Sequence, residues 1–280
     1  MTVEVAKWLR AGYKRVQWGG FDTTGRAIGA VSSLTSGENA GMAELDGPKS
    51  NSLALPSKQR VPIAAADGVI AQFLFEGSEL PSGEMQMSTF DLNFQAFVDG
   101  TAVKDYGLFS GVPLGPRGNT PANTFFLFSR EAKRRTTGSI GLKGYEHLLV
   151  LLAECATRFT NGAQTAQEDV VPYDVNLNYA DTMPWGEAIS TANGYGTSEM
   201  LAYPFFSNYP VSMDFFIGDG SDTAFDLQYT PVSGGTLKVF TNGAIQTIST
   251  HYSVSSDTVT YVSAVGDDVQ STVWYEHQAA

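Results

Sequence analysis

Hydrophobic and polar positions divide the chain into three stretches of different texture. Residues 1–60 show little regular alternation and contain a long polar segment, "LTSGENAGMAELDGPKSNSLALPSKQR". A loop of that length is uncommon inside a compact domain and usually functional or disordered. From Val61 the pattern strengthens. "VPIAAADGVIAQFLFEGSELPSG" predicts two strands about Asp67-Gly68, a strong short hairpin signal. "EMQMSTFDLNFQAFVDG" nearly keeps Met85, Met87, Phe90, Leu92, Phe94 and Phe97 on one strand face, with a slip near Ser88 that suits a bulge. "NTFFLFSREAKRR" predicts a further strand ending in Arg130, Lys133, Arg134 and Arg135. That cluster reads as a solvated strand end or as a contact for an acidic partner.

One helix is expected, about residues 144–160. In "GYEHLLVLLAECATRF", Tyr145, Leu148, Leu149, Leu152, Cys155, Ala156 and Phe159 fall at helical spacing, and Asn161-Gly162 supplies a stop. Strands are predicted at "DVVPYDVNLNYA" and "WGEAISTANGYG". "LAYPFFSNYPVS", broken by Pro204 and Pro210, reads as a loop carrying a domain boundary.

The third stretch, residues 213–280, predicts a small β-sandwich. Phe225 and Leu227 share a face, Asn242-Gly243 suits a type I′ hairpin turn, and a second hairpin sets Tyr252 and Val254 against Val259 and Tyr261. Val269, Val273 and Tyr275 close the pattern. The fold class expected is mainly β: a large β domain over 1–212 with one packed α-helix, then a β-sandwich over 213–280.

Charge narrows the function. The formal net charge is −12, which disfavours binding driven by phosphate contacts. Beyond residue 212, eight acidic residues (Asp214, Asp219, Asp222, Asp226, Asp257, Asp267, Asp268, Glu276) face Lys238 alone. In the first 27 residues, Lys7, Arg10, Lys14, Arg15 and Arg26 are interleaved with Trp8, Tyr13, Trp18 and Phe21. Such an arm can bind nucleic acid or pack on a neighbouring subunit. The longest apolar run, "HLLVLLAECA", is far short of the ~20 residues that span a bilayer, so no membrane partner is expected. The start of the sequence lacks the apolar core of a signal peptide.

Candidate chemistry is sparse. Cys155 is the single cysteine, and no Cys or His pair has zinc spacing. His147 and Cys155 read as a satisfied structural histidine and a small buried thiol. The aspartates of "FFIGDGSDTAFDL" could ligate calcium, but their spacing matches no EF-hand, and Asp and Gly also build turns. The turn reading is preferred. No metal, no cofactor and no enzymatic activity are expected.

The order of segments resembles the major tail-tube protein of long, non-contractile-tailed bacteriophages, over about residues 20–200. The likeness rests on the glycine-rich lead-in "GGFDTTGRAIGAVSS", the polar loop before the first hairpin, the long strands, one helix on a sheet and a late "PWG" (Pro184-Trp185-Gly186). Residues 213–280 resemble the Ig-like modules appended to phage virion proteins. The resemblance implies a β-sandwich or barrel whose copies close into rings, six to a ring, and stack into a tube for DNA ejection. It implies a virion location after assembly in the host cytoplasm. The implied partners are further copies of the chain, tape measure protein, tail terminator and distal tail proteins, with DNA passing the lumen without specific binding. The loop over 35–60 would bridge rings through Met42, Leu45, Leu53 and Leu55; Trp8, Tyr13 and Trp18 would anchor the arm over 1–27. Trp274 and Tyr275 would lie on the exposed face of the module. The alternatives are a capsid decoration or head–tail connector protein, and a carbohydrate- or cell-surface-binding protein stacking sugar on Trp274 and Tyr275.

Overall fold

The computed structural model describes residues 15–45, 48–51, 59–65, 68–75, 82–87, 91–105, 107, 110–112, 122–136, 139–157 and 171–278. Its elements begin with β1 (Arg15–Phe21), β2 (Ala27–Gly29), β3 (Asn39–Gly41), β4 (Ala43–Leu45), β5 (Pro48–Asn51), β6 (Gln59–Ala65), β7 (Gly68–Phe75) and β8 (Ser82–Met87). Helix α1 (Leu92–Val98) follows, then β9 (Lys104–Asp105), β10 (Ser110–Gly111), β11 (Asn123–Thr136), β12 (Ser139–Thr157) and β13 (Val171–Leu177). The rest are β14 (Ala202–Ser207), β15 (Val211–Ile217), β16 (Ala224–Asp226), β17 (Leu237–Thr241), β18 (Ala244–Ile245), β19 (Tyr252–Ser255), β20 (Thr258–Tyr261) and β21 (Gln270–Glu276). The protein is mainly β with one helix among the described residues, as expected.

Three sheets and the helix stack in layers. The largest sheet, sheet A, runs β2-β1-β11-β12-β13-β8-β5, with β4 also on β1 and β14 also on β12. Sheet B runs β18-β17-β21-β15-β3, and a third, smaller sheet runs β16-β20-β19. Hairpins β6-β7 and β9-β10 stand outside these three. Strand alternation sends neighbouring residues into different cores. On β11, Phe126 and Phe128 face α1 while Phe125 and Leu127 face sheet B. On β15, Phe215 joins the A–B core and Phe216 the core beneath the third sheet, where it stacks on Phe225 at 4.6 Å.

The predicted helix over 144–160 is instead the strand β12, in a long antiparallel hairpin with β11. Its residues are buried on both faces: Leu148 and Val150 lie toward α1, Leu149 and Leu151 toward sheet B. Because Leu148–Ala153 is apolar at every position, the stretch contains the helical spacing as a subset, and periodicity could not separate the two. The helix lies where one long strand was expected. β8 ends at Met87, and the slip expected near Ser88 lies outside the described residues. Asp91 caps α1, its carboxylate accepting from the N–H groups of Asn93 (2.9 Å) and Phe94 (3.1 Å). Phe94, Phe97 and Val98, at i, i+3 and i+4, bury onto sheet A.

Other boundaries moved as well. The predicted arm over 1–27 contains β1, which lies between β11 and the short strands β2 and β4; residues 1–14 lie outside the described residues. Gly19 and Gly20 let the aromatic rings approach, since a Cβ would stand 2.3 Å from Phe125 at the first and 2.0 Å from Phe97 at the second. The loop expected over 35–60 holds β3, β4 and β5, paired with β15, β1 and β8 respectively. "WGEAISTANGYG" forms turns joined by isolated bridges such as Thr182–Ala188 rather than a strand. "AYPFFS", expected as loop, is the strand β14, whose Pro204 is tolerated because β14 is an edge. The seam expected between 212 and 213 falls inside β15.

The hairpins of the C-terminal stretch form as predicted. Asn242 and Gly243 take φ of 49° and 74°, and Tyr252–Tyr261 and Val254–Val259 are cross-strand partners.

Candidate functional site

The histidines His147 and His277, and Asp219, find their polar partners within the chain. Ser207 Oγ donates to the Tyr209 carbonyl, so it accepts from His147 Nε2–H at 2.6 Å, leaving Nδ1 to accept from Ser129 O–H at 2.8 Å. His147 is therefore neutral in one tautomer, and burial, then the Arg15 charge, holds its pKa down to about 3. Burial pushes the Cys155 thiol up to about 12 and removes its nucleophilicity. His147 and Cys155 lie on one strand, without the mutual hydrogen bond of a nucleophile and its base. His277 is buried, donates from Nδ1 to the Gln278 carbonyl (2.7 Å) and accepts from Arg15 at Nε2 (3.0 Å). Burial, then the Arg15 charge, lowers its pKa to about 4.

The "GDGSD" aspartates build a turn between β15 and β16. Asp219 Oδ1 accepts from the N–H groups of Ser221 (2.8 Å) and Asp222 (2.7 Å), and Oδ2 from the Ser221 hydroxyl (2.7 Å). The first of these causes, the Asp222 N–H, leads the set that lowers the Asp219 pKa to about 2. Among the described residues no group of three His, Cys, Asp or Glu side chains could hold a metal ion.

The expected contact residues are distributed differently from the prediction. Trp18 is buried between Phe94 and Phe97, both at 5.1 Å, so it anchors the chain's own core rather than an arm. Met42 and Leu45, at 0% and 1% exposure, are likewise consumed inside the chain and cannot present side chains to another ring. Trp8, Tyr13, Leu53 and Leu55 lie outside the residues whose side chains are described. Tyr275 is not on an exposed face. It is fully buried, and its hydroxyl donates to Asp214 at 2.6 Å. Burial raises the Asp214 pKa to about 6 against the lowering effect of that bond. The strand β21 is covered on both sides, so alternation does not free Tyr275.

Of the expected residues, Trp274 lines a cavity. A cleft of about 700 Å³ lies between β14, residues 185–200 and the β17–β18–β21 part of sheet B. Phe205 packs on Trp274 (5.7 Å) and lies near parallel to Tyr203 (6.0 Å, 28°). Trp185 stacks on Phe240 at 5.3 Å. Within this aromatic wall the Glu187 carboxylate is fixed at Oε2 by Trp185 Nε1–H (2.8 Å) and Tyr195 O–H (3.1 Å). Burial and the Glu187 charge raise the Tyr195 pKa. Lys238 and Asn193 complete the polar lining. The signal for this site was present in "PWGEA" and "AYPFF", where aromatic residues crowd around prolines, but it reads as loop texture until β14 is placed.

Gly243 closes one side of the cleft. Its positive φ puts it against the Gly186 carbonyl, which a Cβ would meet at 2.2 Å.

No protein-family model matches the chain, and no curated protein matches it in sequence.

Proposed function

We propose that the chain is a structural subunit that self-associates edge to edge into closed rings, and that stacked rings form a phage tail tube. The observation that supports this reading most is the margin of sheet A. Among the described residues β14 pairs with β12 alone, so within that set its outer edge carries no strand partner. Around that margin Phe206 and Tyr209 are 55% and 42% exposed. Open edges flanked by exposed aromatic side chains are a hazard in a monomer, and closing a ring removes them. Antiparallel addition at both margins of a sheet this wide would generate a continuous barrel wall.

In this reading Trp8, Tyr13, Leu53 and Leu55 are the contacts between rings, and Trp18, Met42 and Leu45 stiffen the body that carries them. Tape measure protein, terminator and distal tail proteins would bind the finished tube, and the net negative chain would let DNA pass without adhering. Sedimentation and negative-stain electron microscopy of concentrated full-length protein test it. Rings or tubes are expected. A discrete monomer at every concentration overturns the reading.

A further inference from the structure

We propose that the cleft between β14 and β17–β21 binds a short saccharide. This proposal stands independently of the tube reading. At about 700 Å³ the cleft has the size of a small-molecule site and room for more than one sugar ring. Pyranose rings present a face of C–H groups and a rim of hydroxyls, and the lining supplies a match for each. Trp274 and Tyr203 offer aromatic surface: Trp274 is partly exposed and Tyr203 is 36% exposed, both braced by Phe205. The C–H face of a sugar packs on such rings with little loss of conformational freedom, because the rings are already held.

The polar groups select among ligands. Trp185 and Tyr195 both donate to Glu187 Oε2, which fixes the carboxylate and leaves Oε1 to accept from a ligand hydroxyl. Lys238 lines the same cleft as a donor. Hydroxyls both donate and accept, so they can satisfy a carboxylate and an ammonium together. A wholly apolar ligand would leave both charged groups desolvated. A proline-rich peptide brings carbonyl acceptors but few donors, so it could meet Lys238 and would leave Glu187 Oε1 without a donor. A nucleic acid would bring phosphates to a carboxylate on a chain of net charge −12.

The test uses the full chain, with tryptophan fluorescence and saturation-transfer NMR. The probes are cellotriose, maltotriose, chitotriose and trigalacturonate, with decaproline as a counter-ligand. Saturable binding of at least one trisaccharide is expected, weakened about tenfold in Trp274→Ala and in Tyr203→Ala. Ile248→Ala, exposed and outside the cleft lining, should bind as the parent does. Because Tyr203 is exposed, its variant keeps the fold even if Trp274→Ala does not; thermal melting checks both. Absence of binding to all four sugars, binding unchanged by Tyr203→Ala, or binding of decaproline in their place overturns the proposal.

Discussion

The two faces of sheet A each carry a cluster of aromatic rings, and only one cluster is closed. On the first face Trp18 and Tyr173 are sealed beneath α1 by its Phe94 and Phe97, with Phe94 edge-on to Trp18 and to Tyr173 at 5.1 Å. At the β14 margin of the other face Tyr203, Phe205, Trp274 and Trp185 surround a cavity. Aromatic content therefore does not distinguish core from site. What distinguishes them is whether a covering element reaches the rings: the seven residues of α1 cover one cluster, and among the described residues no element covers the other.

The sharpest way to break that comparison is to truncate one ring or side chain from each. Phe94→Ala should cost about 3–5 kcal/mol of stability, because the ring leaves a cavity among residues that α1 holds in place. Ile245→Ala, 59% exposed at the cleft lining, should stay within about 0.5 kcal/mol. Urea unfolding of both variants measures the contrast; equal losses would mean that the two clusters are equally closed. Next in size is Gly20→Ala. Its Cβ would stand 2.0 Å from Phe97, so the ring must move and α1 with it, at about 1–3 kcal/mol. The same assay would show the loss, and no loss would mean that α1 seats loosely on the sheet.

These contrasts bear on what could be read in advance. The C-terminal hairpins were legible because their turns demand particular backbone angles, as at Asn242-Gly243, and alternation between them is clean. The centre was not. β12 is buried on both faces, so its side-chain pattern carries no period that separates strand from helix. The α1 signal was present at Asp91, a capping residue with Phe94, Phe97 and Val98 behind it, but a strand alternation extended from Met85 absorbed those residues. The cleft was least legible, because it is assembled from segments 185–200, 203–206 and 238–274 that touch only through tertiary packing. Trp274 is half-buried and lines the cleft, while its neighbour Tyr275 is fully buried beneath a second covering layer that has no local signature.

A subtler difference between buried groups lies in their response to pH. His147 and His277 are held neutral, with pKa values depressed to about 3 and about 4 from 6.5. Their contribution is fully present above pH 6.5 and is lost as pH falls toward those values. Asp214 runs the other way. Its pKa is raised from 3.8 to about 6, so its contribution is greatest below 3.8 and declines as pH rises to about 6. Between pH 4 and 6 the two trends oppose each other, and the wild-type stability curve should be flattened there. Asp214→Asn removes the opposing limb, so the variant's stability should rise with pH through that window more steeply than the parent's. Parallel curves from urea midpoints at several pH values would refute the assignment of Asp214.

The smallest effect is expected at the "GDGSD" turn, and it is informative because it is small. Asp219 and Asp222 lie between β15 and β16 and Asp226 ends β16, and by composition this acidic group invites a cation. Two of the three carboxylates are committed within the chain: Asp219 to the N–H groups of Ser221 and Asp222, and Asp226 Oδ1 to the Thr258 hydroxyl at 2.8 Å. The turn is thus closed in the same sense as the Phe94 cluster, its partners being supplied from within. Adding a chelator or millimolar calcium should leave the thermal midpoint unchanged, whereas Asp219→Ala should lower it slightly through loss of the turn bonds. A calcium-dependent rise would mean that carboxylate oxygens remain free to bind ions, and the distinction between filled and unfilled groups would then fail at the surface while holding in the core.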